Sequence, residues 1–283
     1  MTGHLRVEPQ VTKTGATFYS GLTYAAYPGF RPLLLDLYAP RGVAAVPLIV
    51  WIHGGAFQDG DRRYLPETYP PNSVFDRPLD AGMAVATIDY RHAAEASFPA
   101  QLNDVGAAID YLREHAAAFG IDARRIGVWG ESAGGALAAL EGLTGGRVAA
   151  VVAWYALTDV RRMHADAVDS IETKWLGAPP SAVPELAAAA SAVEQVHAGA
   201  PPFLIVHGAA DTVVALSHSQ RLHELLVAAG APSTYHAVAA ADHCFEGYDD
   251  IGGLIDESVA FLARTLSAST SEPESAASPV DTR

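Results

Sequence analysis

The stretch Gly130-Glu131-Ser132-Ala133-Gly134 constrains this chain more than any other feature. It has the Gly-x-Ser-x-Gly form of a nucleophile elbow, a sharp turn between a strand and a helix. Its surroundings agree. Arg125-Ile-Gly-Val-Trp129 reads as a short buried strand, and Gly134-Gly-Ala-Leu-Ala-Ala-Leu140 as a helix rich in small residues. A serine at such a turn occupies a strained backbone position, so its neighbours must be small. The new helix then turns its free N–H groups and its positive dipole end toward the serine.

An activated serine needs a base and an acid, and after an elbow they follow in the order acid, then histidine. Pro202-Phe-Leu-Ile-Val-His207 is an apolar run and hence a buried strand, and Gly208-Ala-Ala-Asp211 puts an acid on the loop after it. Leu222, Leu225, Leu226 and Ala229 then recur at helical spacing, with Gly230 as the stop. Ser233–Val238 reads as the next strand, and Ala241-Asp-His243 as the loop beyond it. Ser132, Asp211 and His243 therefore each follow a separate strand, and loops at one edge of a parallel sheet are where open α/β proteins place their sites. Asp159, after the strand that ends near Tyr155, competes with Asp211 for the role of acid. Asp242 is a poorer candidate, because neighbouring loop residues rarely face each other well enough to bond.

A fourth element lies upstream. Val46–Ile52 reads as a strand, and His53-Gly-Gly-Ala-Phe57 follows it. Adjacent glycines let backbone N–H groups approach a developing oxyanion, joined by the N–H of the residue after the serine. The expected donors are Gly54, Gly55 and Ala133.

With these four elements in place, the chain resembles the α/β-hydrolase serine esterases. It is similar to the bacterial hormone-sensitive-lipase-like esterases and to the small carboxylesterases of the feruloyl and acetyl-xylan type. Asp89-Tyr-Arg91 and Phe98-Pro-Ala-Gln-Leu-Asn-Asp104 strengthen the likeness, which covers roughly residues 30 to 265. Two positions depart from the family pattern. Ala56 stands at the third glycine of the oxyanion motif, and His-Ala-Ala-Glu95 follows Arg91 in place of Leu-Ala-Pro-Glu. The resemblance implies an esterase acting through an acyl-enzyme, with no cofactor and no metal. Two other readings stay open: an amidase or formamidase on the same triad, and a non-catalytic small-molecule receptor of the same fold.

Composition narrows the partners. The net charge is −14, from 32 acidic against 18 basic residues. That balance argues against nucleic acid or an anionic membrane as a partner; a small-molecule ester is the partner that the resemblance implies. The N-terminus lacks the charged start and apolar core of a signal peptide, and no apolar run approaches the roughly 20 residues of a membrane helix. A single cysteine, Cys244, offers no intramolecular disulfide, and a reducing cytoplasm is the simplest location. Cys244 reads as a small buried hydrophobe. Of the other histidines, His53 is expected to anchor the oxyanion loop and His207 to pack or orient beside the site. His218 and His223 read as helix-surface residues, and His236 as part of a strand.

The expected architecture is one α/β-hydrolase domain over residues 1–266, a mostly parallel central sheet with helices on both faces. Two antiparallel strands occupy 17–40, an irregular loop 58–78, a strand 84–89, an amphipathic helix 99–119 ended by Gly120, and a strand 148–154. Residues 157–200 interrupt the alternation and read as a small cap insertion with an Ala-rich helix near 181–197. The Ser/Pro/Glu/Ala-rich tail 267–283 has the composition of a disordered segment.

Overall fold

The computed structural model describes residues 8–162 and 166–268. Nine strands form one sheet: β1 (Gln10–Val11), β2 (Thr17–Ala25), β3 (Leu33–Ala39), β4 (Val46–Ile52), β5 (Ala84–Ile88), β6 (Ile121–Glu131), β7 (Ala150–Trp154), β8 (Phe203–Gly208) and β9 (Ser233–Val238). Their spatial order is β1-β2-β3-β5-β4-β6-β7-β8-β9. The first three strands are antiparallel to their neighbours, and β4 to β9 pair in parallel.

The two faces of the sheet are sorted by alternate residues. Leu48, Val50 and Ile52 of β4 and Val151 and Ala153 of β7 belong to one apolar cluster, together with residues of α2 (Ala100–Glu114), α4 (Ala133–Leu140) and α7 (Ser217–Ala228). Ile49 and Trp51, with Val152 and Trp154, belong to the other, closed by α1 (Ser73–Asp80) and α8 (Ile251–Ala268). Because both faces are covered, these strands read as continuous apolar runs rather than alternating ones. Trp129 lies edge-on to Trp51 at 5.3 Å and to Trp154 at 5.0 Å, filling the sheet centre under α8. No helix among the described residues is long and apolar enough to cross a membrane.

The chain reverses direction of travel at β4. It moves outward to β5, then returns to lay β6 on β4's other side. The crevice between the ends of β4 and β6 is thus the switch point of the sheet, where open α/β folds bind ligands. Both Gly54-Gly55 and Ser132 lie at this point.

Several expected boundaries shift. The 99–119 helix breaks at His115 into α2 and a single turn, α3 (Ala116–Phe119), before Gly120 ends it at φ +71°. The 58–78 loop gives way to α1 from Ser73. The tail begins later than 267, since α8 runs to Ala268, and the rest of it lies outside the described residues. The Ala-rich helix shrinks to α6 (Pro184–Ala189), preceded by α5 (Ile171–Leu176) and flanked by short 3-10 turns. Prolines set that result. Pro184, with no N–H to donate, starts α6, and the Ser191 hydroxyl caps the chain back onto the Ala187 carbonyl.

Beyond α4 the helix continues as a π-helical turn, Glu141–Gly145, that buries Glu141 beside Arg147 at 3.1 Å. Burial pushes the Glu141 carboxyl up from 4.5 to about 7, against the pull of Arg147. An unfolded chain releases this proton near 4.5, and the folded one holds it to about 7. Between those values the folded state binds more protons, so stability falls as pH rises and levels off above the folded value. The contribution is on the order of 3 kcal/mol at most. Glu141→Gln should therefore flatten the decline in Tm between pH 5 and pH 8. Equal slopes for the variant and the parent would contradict this.

Candidate active site

Gly130 and Gly134 let the elbow close. A Cβ at Gly130 would lie 2.1 Å from the Gly134 carbonyl oxygen, and one at Gly134 2.1 Å from that of Ile52. Any side chain there would hold β6, α4 and β4 apart. Ser132 between them has φ +53° and ψ −117°, a conformation that costs about 1–3 kcal/mol and persists only where its surroundings enforce it. The enforcing contacts are on the backbone. Ser132 N–H donates to the Trp154 carbonyl at 2.9 Å, and its own carbonyl accepts from Ala136 N–H at 3.0 Å.

The serine, histidine and aspartate converge as the sequence predicts. Ser132 Oγ lies 3.1 Å from His243 Nε2, and His243 Nδ1 lies 2.8 Å from Asp211 Oδ2. The Asp211 carboxylate is fully buried. Its Oδ1 accepts from the backbone N–H groups of Val213 and Val214 at 2.8 and 2.7 Å. Its Oδ2 also lies 3.2 Å from His207 Nε2, which donates to the Val214 carbonyl at 2.8 Å while Nδ1 accepts from the Ser219 hydroxyl. Burial works to raise the Asp211 pKa, but the hydrogen bonds from His207 and His243 and from the Val214 N–H outweigh it and hold the carboxyl well below its usual range. The acid therefore stays ionised and accepts from every side. His207, read from sequence as packed or orienting, does orient: it sits against the acid.

The rival acids do other work. Asp159 pairs with Arg161 at 2.9 Å and with Arg162 at 3.7 Å, and does not reach His243. Asp242 accepts from Thr212 N–H at 2.7 Å and from His243 N–H at 2.6 Å, so it ties the acid-bearing loop to the histidine-bearing loop.

The oxyanion loop needs one correction. Gly54 N–H does not face the site. It donates to Glu131 Oε1 at 2.6 Å, in a buried contact. Gly55 and Ala56 line the cavity with Ala133, and no acceptor among the described residues engages the N–H groups of these three. The available donors are therefore Gly55, Ala56 and Ala133. Ala56 adopts φ +54°, in the left-handed region that a glycine adopts readily. The loop is held from behind. His53 donates from Nδ1 to the Gly54 carbonyl at 2.7 Å and stacks on Tyr90 at 4.3 Å, and Tyr90 donates to the same backbone at 3.0–3.1 Å. Burial lowers His53 to about 4, so it is neutral. Tyr90 belongs to the Asp-Tyr-Arg segment, whose Arg91 is clamped by the buried Asp104 at 2.7 Å.

The cavity in front of Ser132 measures about 350 Å³. Leu157, Ile171, Val213 and Val214 give it apolar walls, and Asp59 and Tyr64 supply polar groups. Trp175 on α5 stacks on Phe57 at 3.8 Å, which couples the 157–200 segment to the oxyanion loop. Cys244 lines the cavity and is only partly buried. Burial pushes its thiol up to about 12, so it is protonated and inert at neutral pH. His218 is buried, not on the helix surface: Nδ1 accepts from Thr158 and Asp159 N–H at 3.3 Å, and burial pushes its pKa down to about 4. Sequence reasoning passed over Glu131. Its one signal is a carboxylate directly after the buried uncharged run Ile126–Gly130. Tyr155, packed on His243 at 4.8 Å, left no such signal.

Comparisons with known proteins bear on the fold and the family. A truncated carbohydrate esterase from gut microbiota superposes with a TM-score of 0.80, at 27% identity, over 92% of this chain and 100% of that one. Thermogutta terrifontis esterase Est2 superposes with a TM-score of 0.68 at 22% identity, covering 95% of this chain and 94% of that one, which supports the α/β-hydrolase fold. Among sequences, the esterase LipQ of Mycobacterium tuberculosis is 30% identical over 77% of this chain and 56% of its own length. LipC of the same organism is 30% identical over 76% of this chain and 58% of its own length. The chain thus spans little more than half the length of these curated relatives. The BD-FAE family model matches residues 35–226, more than half of the chain, and the chain belongs to that family.

Proposed function

We propose that the chain is a serine carboxylesterase that hydrolyses short-chain or aryl carboxylic esters. The observation that carries this reading is the hydrogen-bonded series from Ser132 through His243 to Asp211, beside a cavity lined by three residues whose backbone N–H groups have no acceptor among the described residues. His243 Nε2 takes the Ser132 proton as Oγ attacks the ester carbonyl. Asp211 keeps the other ring nitrogen protonated and stabilises the imidazolium. The N–H groups of Gly55, Ala56 and Ala133 face the oxyanion, and each is worth roughly 3 kcal/mol to the transition state. His243 then protonates the leaving alcohol. A water, deprotonated by the same histidine, attacks the acyl-enzyme, and collapse of that intermediate releases the acid and restores Ser132.

The walls of the cavity support a substrate range. Space of about 350 Å³ between Leu157, Ile171, Val213 and Val214 suits an acetyl, butyryl or aryl acyl group, and the 157–200 segment acts as a small cap over it. Aryl esters of acetate and butyrate should turn over without interfacial activation. Faster hydrolysis of emulsified long-chain triglyceride would refute this range. An aryl-ester and anilide panel, with feruloyl and acetyl-sugar esters included, tests the reaction class. Preferred cleavage of the amides would favour the amidase reading, and binding without turnover the receptor.

A further inference from the structure

Glu131 carries a carboxylate that the mechanism above does not use. It is the last residue of β6, 1% exposed, immediately before Ser132. Its Oε1 accepts from Gly54 N–H at 2.6 Å. Its carboxylate also meets the Tyr155 hydroxyl, which is bonded to Tyr69. A Cβ at Gly54 would lie 2.4 Å from Oε1, so the two residues touch with no space between them.

The backbone that follows Gly54 is unusual. Gly55, Ala56 and Phe57 have φ of +100°, +54° and +60°, three consecutive residues in the left-handed region. Non-glycine residues avoid it, so such a run relaxes unless both ends are fixed. The downstream end is fixed by the Gly55 carbonyl, which accepts from Gln58 and Asp59 N–H at 2.8 and 2.9 Å. At the upstream end His53 and Tyr90 hold the Gly54 carbonyl, and Glu131 alone among the described residues holds its N–H.

We infer that Glu131 is a positioning residue that holds the loop at Gly54, so that the N–H groups of Gly55 and Ala56 point at the carbonyl attacked by Ser132. The inference rests on the serine-esterase reading. It assigns Glu131 an acceptor's task at a set distance. The negative charge is not what the task needs, although that charge lies close enough to His243 to offer a rival explanation. A glutamine can do the same work: its amide oxygen accepts from Gly54 and its NH₂ faces the Tyr155 oxygen. An aspartate keeps the charge but draws the acceptor back by one carbon.

The test compares Glu131→Gln, Glu131→Asp and Glu131→Ala on an aryl acetate. Each variant is also titrated with an aryl trifluoromethyl ketone, which forms a tetrahedral oxyanion on the serine. Glu131→Asp and Glu131→Ala should lose on the order of 100-fold in kcat with KM little changed, the size of effect seen when one oxyanion donor is lost. Affinity for the ketone should fall by a similar factor, because it resembles the transition state. Glu131→Gln should stay close to the parent in both. Parent-like rates in Glu131→Asp, or a Glu131→Gln as slow as Glu131→Ala, would overturn the inference. If Glu131→Ala does not fold, the Gln and Asp pair still decides. Phosphonate labelling of Ser132 in the parent separates the two failures: a labelled parent with the reversed ranking sinks only the role of Glu131, and an unlabelled parent sinks the esterase reading itself.

Discussion

Ser132→Ala is expected to lower kcat by on the order of a million-fold while leaving the fold intact. The magnitude follows from the way triad members act as a unit, so that removing the nucleophile removes the covalent route altogether. Stability should hardly change. Alanine retains the backbone bonds of Ser132 to Trp154 and Ala136, and the hydroxyl's bond is to His243 Nε2. The strained φ of +53° is imposed by the neighbours and persists in the variant. The matching chemical result is that an aryl phosphonate labels Ser132 alone in the parent protein. Among the described residues that line the cavity, Tyr64 carries another hydroxyl, but Ser132 is the one bonded to a histidine that is in turn bonded to a buried carboxylate; Ser219, whose histidine His207 also meets Asp211, is fully buried and does not line the cavity. Mass spectrometry of the labelled peptide checks this. Residual activity near the parent level, or a label on another residue, would remove the whole reading.

How much of this was legible in the sequence depends on whether a contact is local. The strand, turn and helix at Gly130–Gly134 are a local pattern, and both glycines are required by close approaches that the motif encodes. The order of Ser132, Asp211 and His243 follows from parallel topology, because each residue sits on the loop after its own strand. The Gly54 correction is of another kind. Two adjacent glycines look equivalent in sequence. Only the approach of Glu131 from β6, 77 residues later, takes up one N–H, while the next two, at the cavity wall, have no acceptor among the described residues. His218 was misread for the same reason: its spacing on α7 fits a surface position, but the segment after β7 folds over it. The 181–197 helix failed locally, since alanine content favoured a helix that can begin only at Pro184 and that gives way to a 3-10 turn at Ala192.

Asp211→Asn is expected to lower kcat by roughly ten-thousand-fold near neutral pH with substrate binding nearly unchanged. The argument turns on which way the amide must face. Oδ1 of Asp211 accepts two backbone N–H groups, from Val213 and Val214, and only an oxygen can do so. The asparagine NH₂ is therefore forced to the Oδ2 side, toward His243 Nδ1 and His207 Nε2. His207 already donates from Nε2 to the Val214 carbonyl, so it cannot accept from the amide. His243 must accept instead, which leaves its proton on Nε2, pointing at Ser132. A histidine in that tautomer cannot take the serine proton. Asp159→Asn should do far less. It weakens pairs with Arg161 and Arg162 at the entrance to the 157–200 segment and leaves the His243 tautomer untouched. Asp242→Asn should also be mild, because an amide oxygen can still accept from Thr212 and His243 backbone N–H. Rates for the three variants on one aryl acetate rank the acids directly. A mild Asp211→Asn beside a severe Asp159→Asn would move the acid to the loop after β7, and the serine and histidine assignments would survive it.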